Sequence, residues 1–187
     1  MFEEILARLA AALDRHGIPG MVIGGQAVLL YGEPRLTRDI DVTLGVGTDR
    51  LAAVLELLPE VPLRALPVDL EAFVHRTMVL PALHEATGIR VDLVFSFTPY
   101  EQEAIARARS VMLGGQAVRF ASPEDVIIHK VFAGRPRDLE DAATIMRNQP
   151  DLDRAYIRRW LEQFDAGQDE SVFAARFAAI AATPEGT

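Results

Sequence analysis

GGQAVLLYGEPRLTRDIDV, residues 24–42, opens on two glycines and closes on two aspartates one residue apart. The apolar run Met21 to Ile23 precedes it, so the glycines fall where a strand ends and a helix begins. Free backbone N–H groups and the positive end of the helix dipole meet at such a junction, and glycine lets an anion approach the backbone closely. At the other end DIDVTL, residues 39–44, alternates acid with apolar residue, the period of a strand with one apolar face. Asp39 and Asp41 therefore leave the strand on the same side, with Cα atoms roughly 6.5 Å apart. Like charges held that close repel unless a cation stands between them, and magnesium prefers carboxylate and phosphate oxygens. With Arg35, Thr37 and Arg38 lying between glycines and aspartates, the stretch describes a phosphate cradle facing a metal site. Surface aspartates beside a tight glycine turn are the plainer reading of the same residues.

Composition narrows the classes that remain. The chain has 187 residues, 50% of them hydrophobic and 25% charged, the balance of a soluble globular protein with one substantial core and room for a small helical appendage. It has no cysteine, so disulfides and Cys-ligated zinc are excluded, and His16, His75, His84 and His129 lack ligand spacing. The N-terminal MFEEILARLAAALDRHG carries acids at once and reads as an amphipathic helix, not a signal sequence. No run of about 18 apolar residues occurs, so no membrane partner is expected and the location read is cytoplasmic. The net charge of −8 argues against binding nucleic acid over the whole surface, though not against a local patch. Of 19 basic residues 18 are arginine, which leaves Lys130 as the one lysine. A compact ammonium kept in so arginine-rich a chain hints at a site that wants a point charge.

The pattern along the chain implies an α+β protein in two parts, 1–121 and 122–187. Helix over about 2–16, strand at 21–23, buried helix behind the glycines and strand at 39–44 are followed by a helix from Thr48, taken as its N-cap. Residues 61–75 have no readable period. MVLPALHE and GIRVDLVFSF form one hairpin and SVMLGGQAVRFA another, with TPYEQEAIARARS helical between them. From Ser122 the chain is helix after helix. Ser-Pro-Glu-Asp is a strong helix start, and Gly134 and Pro136 are a stop. Within GIRVDLVFSF, Asp92 is an acid in an otherwise apolar run, costly to bury unless it meets a metal, a base role or a partner such as Arg90. Solvent exposure on an alternating strand is the alternative.

An apolar strand, Gly24-Gly25, a short helix and Arg-x-Thr-x-Asp-Ile-Asp together resemble the signature of the nucleotidyltransferase superfamily related to DNA polymerase beta. Pro123 to Ile145, with its lysine and following Arg-Asp, is similar to a C-terminal motif of the branch that holds AbiEii-type toxins of toxin–antitoxin systems. The resemblance implies a nucleotidyltransferase-type mixed sheet with flanking helices and a C-terminal helical bundle, acting on a nucleoside triphosphate. It implies Mg2+, or Mn2+ in its place, on Asp39 and Asp41 with Asp92 as third carboxylate. Nucleotide contacts would come from Gly24, Gly25, Gln26, Arg35, Thr37, Arg38, Lys130 and Asp138, with Lys130 on the phosphates and Asp138 or Asp141 orienting it. Many members carry a serine after the first or second glycine. Here Gly25 and Gln26 stand there, which leaves the phosphates to Gln26 or to backbone N–H groups. RNA is the acceptor that the toxin-like branch implies, with a cognate antitoxin as protein partner, and Arg135, Arg137, Arg147, Arg154, Arg158 and Arg159 can form a basic face for it. A small-molecule acceptor such as an aminoglycoside, or a catalytically silent relative, remain as alternatives.

Overall fold

The computed structural model describes residues 1–34, 36–96, 98–167 and 171–182. Two compact units form: residues 1–26 with 36–121, and residues 27–35 with 122–187.

The first unit is built on a mixed sheet of seven strands: β1 (Gly20–Ile23), β2 (Asp39–Leu44), β3 (Leu63–Ala65), β4 (Val79–His84), β5 (Arg90–Phe95), β6 (Arg109–Leu113) and β7 (Gln116–Phe120), in the order β3-β4-β5-β2-β1-β7-β6. β2 runs antiparallel to β1 and parallel to β5, so the strand with both aspartates lies in the middle of the sheet. Its alternation is obeyed from Asp39 to Val42, where Ile40 and Val42 are 0% and 2% exposed and both aspartates half-buried, and stops at the buried Thr43. β4 and β5 make the first expected hairpin, β6 and β7 the second, the latter turning on Gly114 and Gly115 at positive φ. Helix α1 (Phe2–Arg15) buries Ile5, Leu6, Leu9, Ala12 and Leu13, the face that meets β7.

Helix α2 (Gly24–Tyr31) follows β1 without a linker. The expected helix from Thr48 needs correction. Residues Thr48–Arg50 and Leu58–Glu60 form 3-10 turns around a short α3 (Leu51–Leu57), and no Thr48 side chain caps it. Residues 61–75 hold β3 and the start of α4 (Leu70–Thr77), capped by the Asp69 carboxylate on the Ala72 N–H. Helix α5 (Pro99–Arg107) starts at Thr98, whose hydroxyl accepts from the Glu101 N–H.

The second unit holds α6 (Pro123–Ala133), α7 (Pro136–Asn148), α8 (Arg154–Asp165) and α9 (Val172–Ala182). Ser122 caps α6 by accepting from the Asp125 N–H, while its hydroxyl donates to Asp125 Oδ2 at 2.6 Å and Tyr156 donates to Oδ1 at 2.7 Å. That bonding lets a carboxylate with no exposed surface remain in the core. Gly134, left-handed at φ +65°, ends α6 and turns the chain into Pro136 at the first position of α7. Asp165 at the end of α8 accepts from the Phe173 and Ala174 N–H groups and so caps α9. Among the described residues no helix is long and apolar enough to cross a membrane.

Candidate active site

Parallel pairing of β2 with β5 sets Asp39 beside Arg90 and Asp41 beside Asp92. Because alternate residues share a face, the four side chains form a block on one side of the sheet, opposite the buried Ile40, Val42, Val91 and Leu93. The three carboxylates expected from the sequence are thus neighbours in space. Asp92 is not exposed freely: Arg90 Nε donates to its Oδ1 at 2.8 Å and its Oδ2 at 3.1 Å. This bond raises the Arg90 pKa against the opposing effect of desolvation, and the charges of Asp92, Asp39 and Asp41 add to the rise.

Gly24 faces the other side of Asp41. It has φ +63°, and a Cβ built on it would stand 3.1 Å from Asp41 Cβ and overlap the carboxylate itself. Only glycine lets the start of α2 close down on this aspartate, which places a helix N-terminus against an acidic strand. Gly25 and Gln26 follow, both buried, and Gln26 donates a long 3.4 Å bond to the Asp39 carbonyl. The Thr37 hydroxyl donates to Asp39 at 3.3 Å on Oδ1 and 3.4 Å on the carbonyl, so Thr37 and Gln26 both hold the entry of β2. Arg38 is exposed, and Arg35 lies outside the described residues.

Asp39 and Asp41 fit magnesium as a pair, since that ion is usually held by one or two carboxylates together with phosphate oxygens and water. Among the described residues no group of three His, Cys, Asp or Glu side chains is arranged to hold a metal ion, and both oxygens of Asp92 lie on Arg90 Nε.

Gly24→Ala tests the close approach. The left-handed φ costs an alanine about 1–2 kcal/mol, as it does at Gly17, where φ is +61° and nothing stands within 4 Å. Both variants should melt lower, by roughly 2–8 °C. Only at Gly24 would the new Cβ also press on the Asp41 carboxylate, so whatever affinity for magnesium–triphosphate Asp41 confers should fall in Gly24→Ala alone; equal affinities in a binding titration would detach Gly24 from the site.

In the second unit Lys130 is buried at 8% exposure, not a solvated helix lysine. Its Nζ lies 2.8 Å from Asp138 Oδ1 and 2.9 Å from Asp141 Oδ2, and Asp138 also has Arg135 Nε at 3.6 Å. The turn at Gly134 brings the two acids, three apart on α7, back over α6. The sequence offered either acid as a partner for Lys130 or an arginine, and both lie within ion-pair distance of the lysine. His129 is held down to about 4 by desolvation and by the Lys130 charge, so it stays neutral near pH 7 and adds no second cation. The pairing of Asp92 with Arg90 was one of the readings the sequence allowed; what the sequence did not reveal is that Asp39 and Asp41 stand beside Arg90 as well. An Arg-x-Asp facing an Asp-x-Asp is the signal, and it becomes legible only once the two strands are known to pair.

The family described as "Nucleotidyl transferase of unknown function (DUF2204)" matches residues 2–176. No curated protein matches the chain. Among solved structures, an antigenic nucleotidyltransferase-like protein from Paracoccidioides brasiliensis aligns over 97% of this chain and 92% of its own, at 17% identity and a TM-score of 0.55. The antibiotic-resistance factor ANT(2'')-Ia aligns over 96% of this chain and 94% of its own, at 18% identity and a TM-score of 0.56. The lincosamide antibiotic adenylyltransferase LnuA, with lincomycin bound, aligns over 73% and 91%, at 14% identity and a TM-score of 0.50. At such identities the likeness is one of fold.

Proposed function

The chain belongs to this nucleotidyl transferase family, and from that premise we propose that it moves a nucleoside monophosphate from a magnesium-bound triphosphate to an acceptor hydroxyl. The observation that carries the reading is the block of Asp39, Asp41 and Asp92 with the N-terminus of α2 closed onto Asp41 at Gly24. Asp39 and Asp41 would hold the ion, which supplies neutralisation of charge on the phosphates. The backbone N–H groups at Gly24 and Gly25 are the phosphate donors that the missing serine leaves in charge. The acceptor oxygen attacks the α-phosphorus, the bond to pyrophosphate breaks, and Asp92 takes the hydroxyl proton. Catalysis here is positioning and electrostatics, the terms that dominate phosphoryl chemistry.

For the acceptor we favour RNA, as a toxin-like component would require. Its support is α8, where Arg154, Arg158 and Arg159 are all exposed and the Arg159 guanidinium lies 5.3 Å and 5.1 Å from the ring centroids of Tyr156 and Trp160. A small molecule is the second reading, because ANT(2'')-Ia is by name an antibiotic-resistance factor and LnuA a lincosamide antibiotic adenylyltransferase. Replacing the three arginines together by glutamine separates the two. With RNA, the slope of log affinity against log salt should flatten by about two, at roughly 0.7 per lost contact. Triphosphate affinity should not change. Identical slopes, or no RNA binding, would hand the acceptor to a panel of small hydroxyl compounds assayed with α-labelled triphosphates.

A further inference from the structure

We infer that Arg90 is the resident counter-cation of the carboxylate block, holding Asp92 out of the ligand set until a divalent cation competes it away. This rests on the metal reading of Asp39 and Asp41 above, and deepens it by naming what regulates that site.

Three carboxylates side by side on neighbouring strands repel one another, and a positive charge among them relieves that repulsion. Arg90 is that charge. It is in register with Asp39, two residues from Asp92 on the same face, and its Nε is shared by both Asp92 oxygens. Arginine does not lose its proton at any working pH, so the charge can leave the block only by moving. It has room to do so. The Arg90 side chain is 54% exposed, whereas that of Asp92 is 19% exposed on a strand in the sheet interior. The guanidinium can withdraw into water while Asp92 stays. An ion pair this open is weak in water, and a divalent cation brings twice the charge to the same oxygens. Arg90 thereby sets how tightly metal binds and when Asp92 is released to serve as ligand or proton acceptor. An incidental surface pair would have none of these effects.

The test is a titration of Mn2+ alone, by calorimetry, into nucleotide-free wild type, Arg90→Gln, Arg90→Lys and Asp41→Asn, with melting temperatures taken with and without the ion. Arg90→Gln should bind Mn2+ at least about tenfold more tightly than wild type, because a positive charge a few Å from the site has gone. Its metal-free melting temperature should fall and recover with Mn2+, while Arg90→Lys, which keeps the charge, should stay within about threefold of wild type. Equal or weaker Mn2+ binding by Arg90→Gln, with binding lost in Asp41→Asn, would overturn the role of Arg90 and leave the metal reading standing. Absence of Mn2+ binding in every protein, Arg90→Gln included, would overturn the metal reading and this inference with it.

Discussion

Asp39→Asn and Asp41→Asn should each lower nucleotidyl transfer by at least about a hundredfold, or ~2.7 kcal/mol of transition-state stabilisation. Each removes one of the two carboxylates that share a face of β2, and a neutral amide oxygen is a poor substitute for a metal-binding carboxylate. The fold should be spared. Both side chains lie on the half-exposed face while Ile40 and Val42 carry the packing, and losing one acid from a block of three relieves repulsion. Melting temperatures should therefore be unchanged or slightly raised, with magnesium–triphosphate affinity reduced. Full transfer by either variant at an unchanged melting temperature would remove the metal pair from the mechanism.

Lys130→Met should be the most destabilising single change. Methionine fills the space of the lysine stem but takes the ammonium away from Asp138 and Asp141, whose side chains are only 12% and 9% exposed. Breaking a buried ion cluster by removing one partner costs about 3–5 kcal/mol, which lowers the melting temperature of a chain this size by roughly 6–20 °C. Neutralising the acids as well, in Lys130→Met/Asp138→Asn/Asp141→Asn, should recover much of the loss, since the penalty belongs to the buried carboxylates that have lost their lysine. A Lys130→Met protein melting within 2 °C of wild type would show that the cluster does not hold α6 to α7. Lys130→Arg addresses the phosphate contact that the family resemblance implies. A planar guanidinium cannot place a point charge where the ammonium was, and turnover should fall at least about tenfold. Wild-type turnover in that variant would leave Lys130 a purely structural residue.

β2 was legible because polar and apolar residues alternate in sequence from Asp39 to Leu44, and the start of α6 because Ser122, Pro123 and Asp125 are all placed for capping. Both hairpins announced themselves by apolar runs around short turns. Residues 61–75 were not legible, because β3 is three residues long and α4 eight, too short for either period to rise above noise. Thr48 misled because a threonine before an apolar run fits both a cap and the first residue of a 3-10 turn. In the site, the individual acids were visible but their company was not. Asp41 and Asp92 are 51 residues apart in sequence, and nothing local says that β2 and β5 run parallel and in register. The same holds for Gly24, whose need to be glycine comes from Asp41 across β1 and β2 rather than from the turn alone.

Transfer is followed most plainly with a triphosphate carried in two forms, one radioactive at the α-phosphorus and one at the γ-phosphorus, with magnesium and either RNA or the small hydroxyl compounds as acceptor. Nucleoside monophosphate transfer predicts that the α-label appears on the acceptor and the γ-label leaves entirely as pyrophosphate, and that both signals vanish with Asp41→Asn. Transfer of the γ-label to the acceptor, or an α-label signal that persists in Asp41→Asn, would contradict the account.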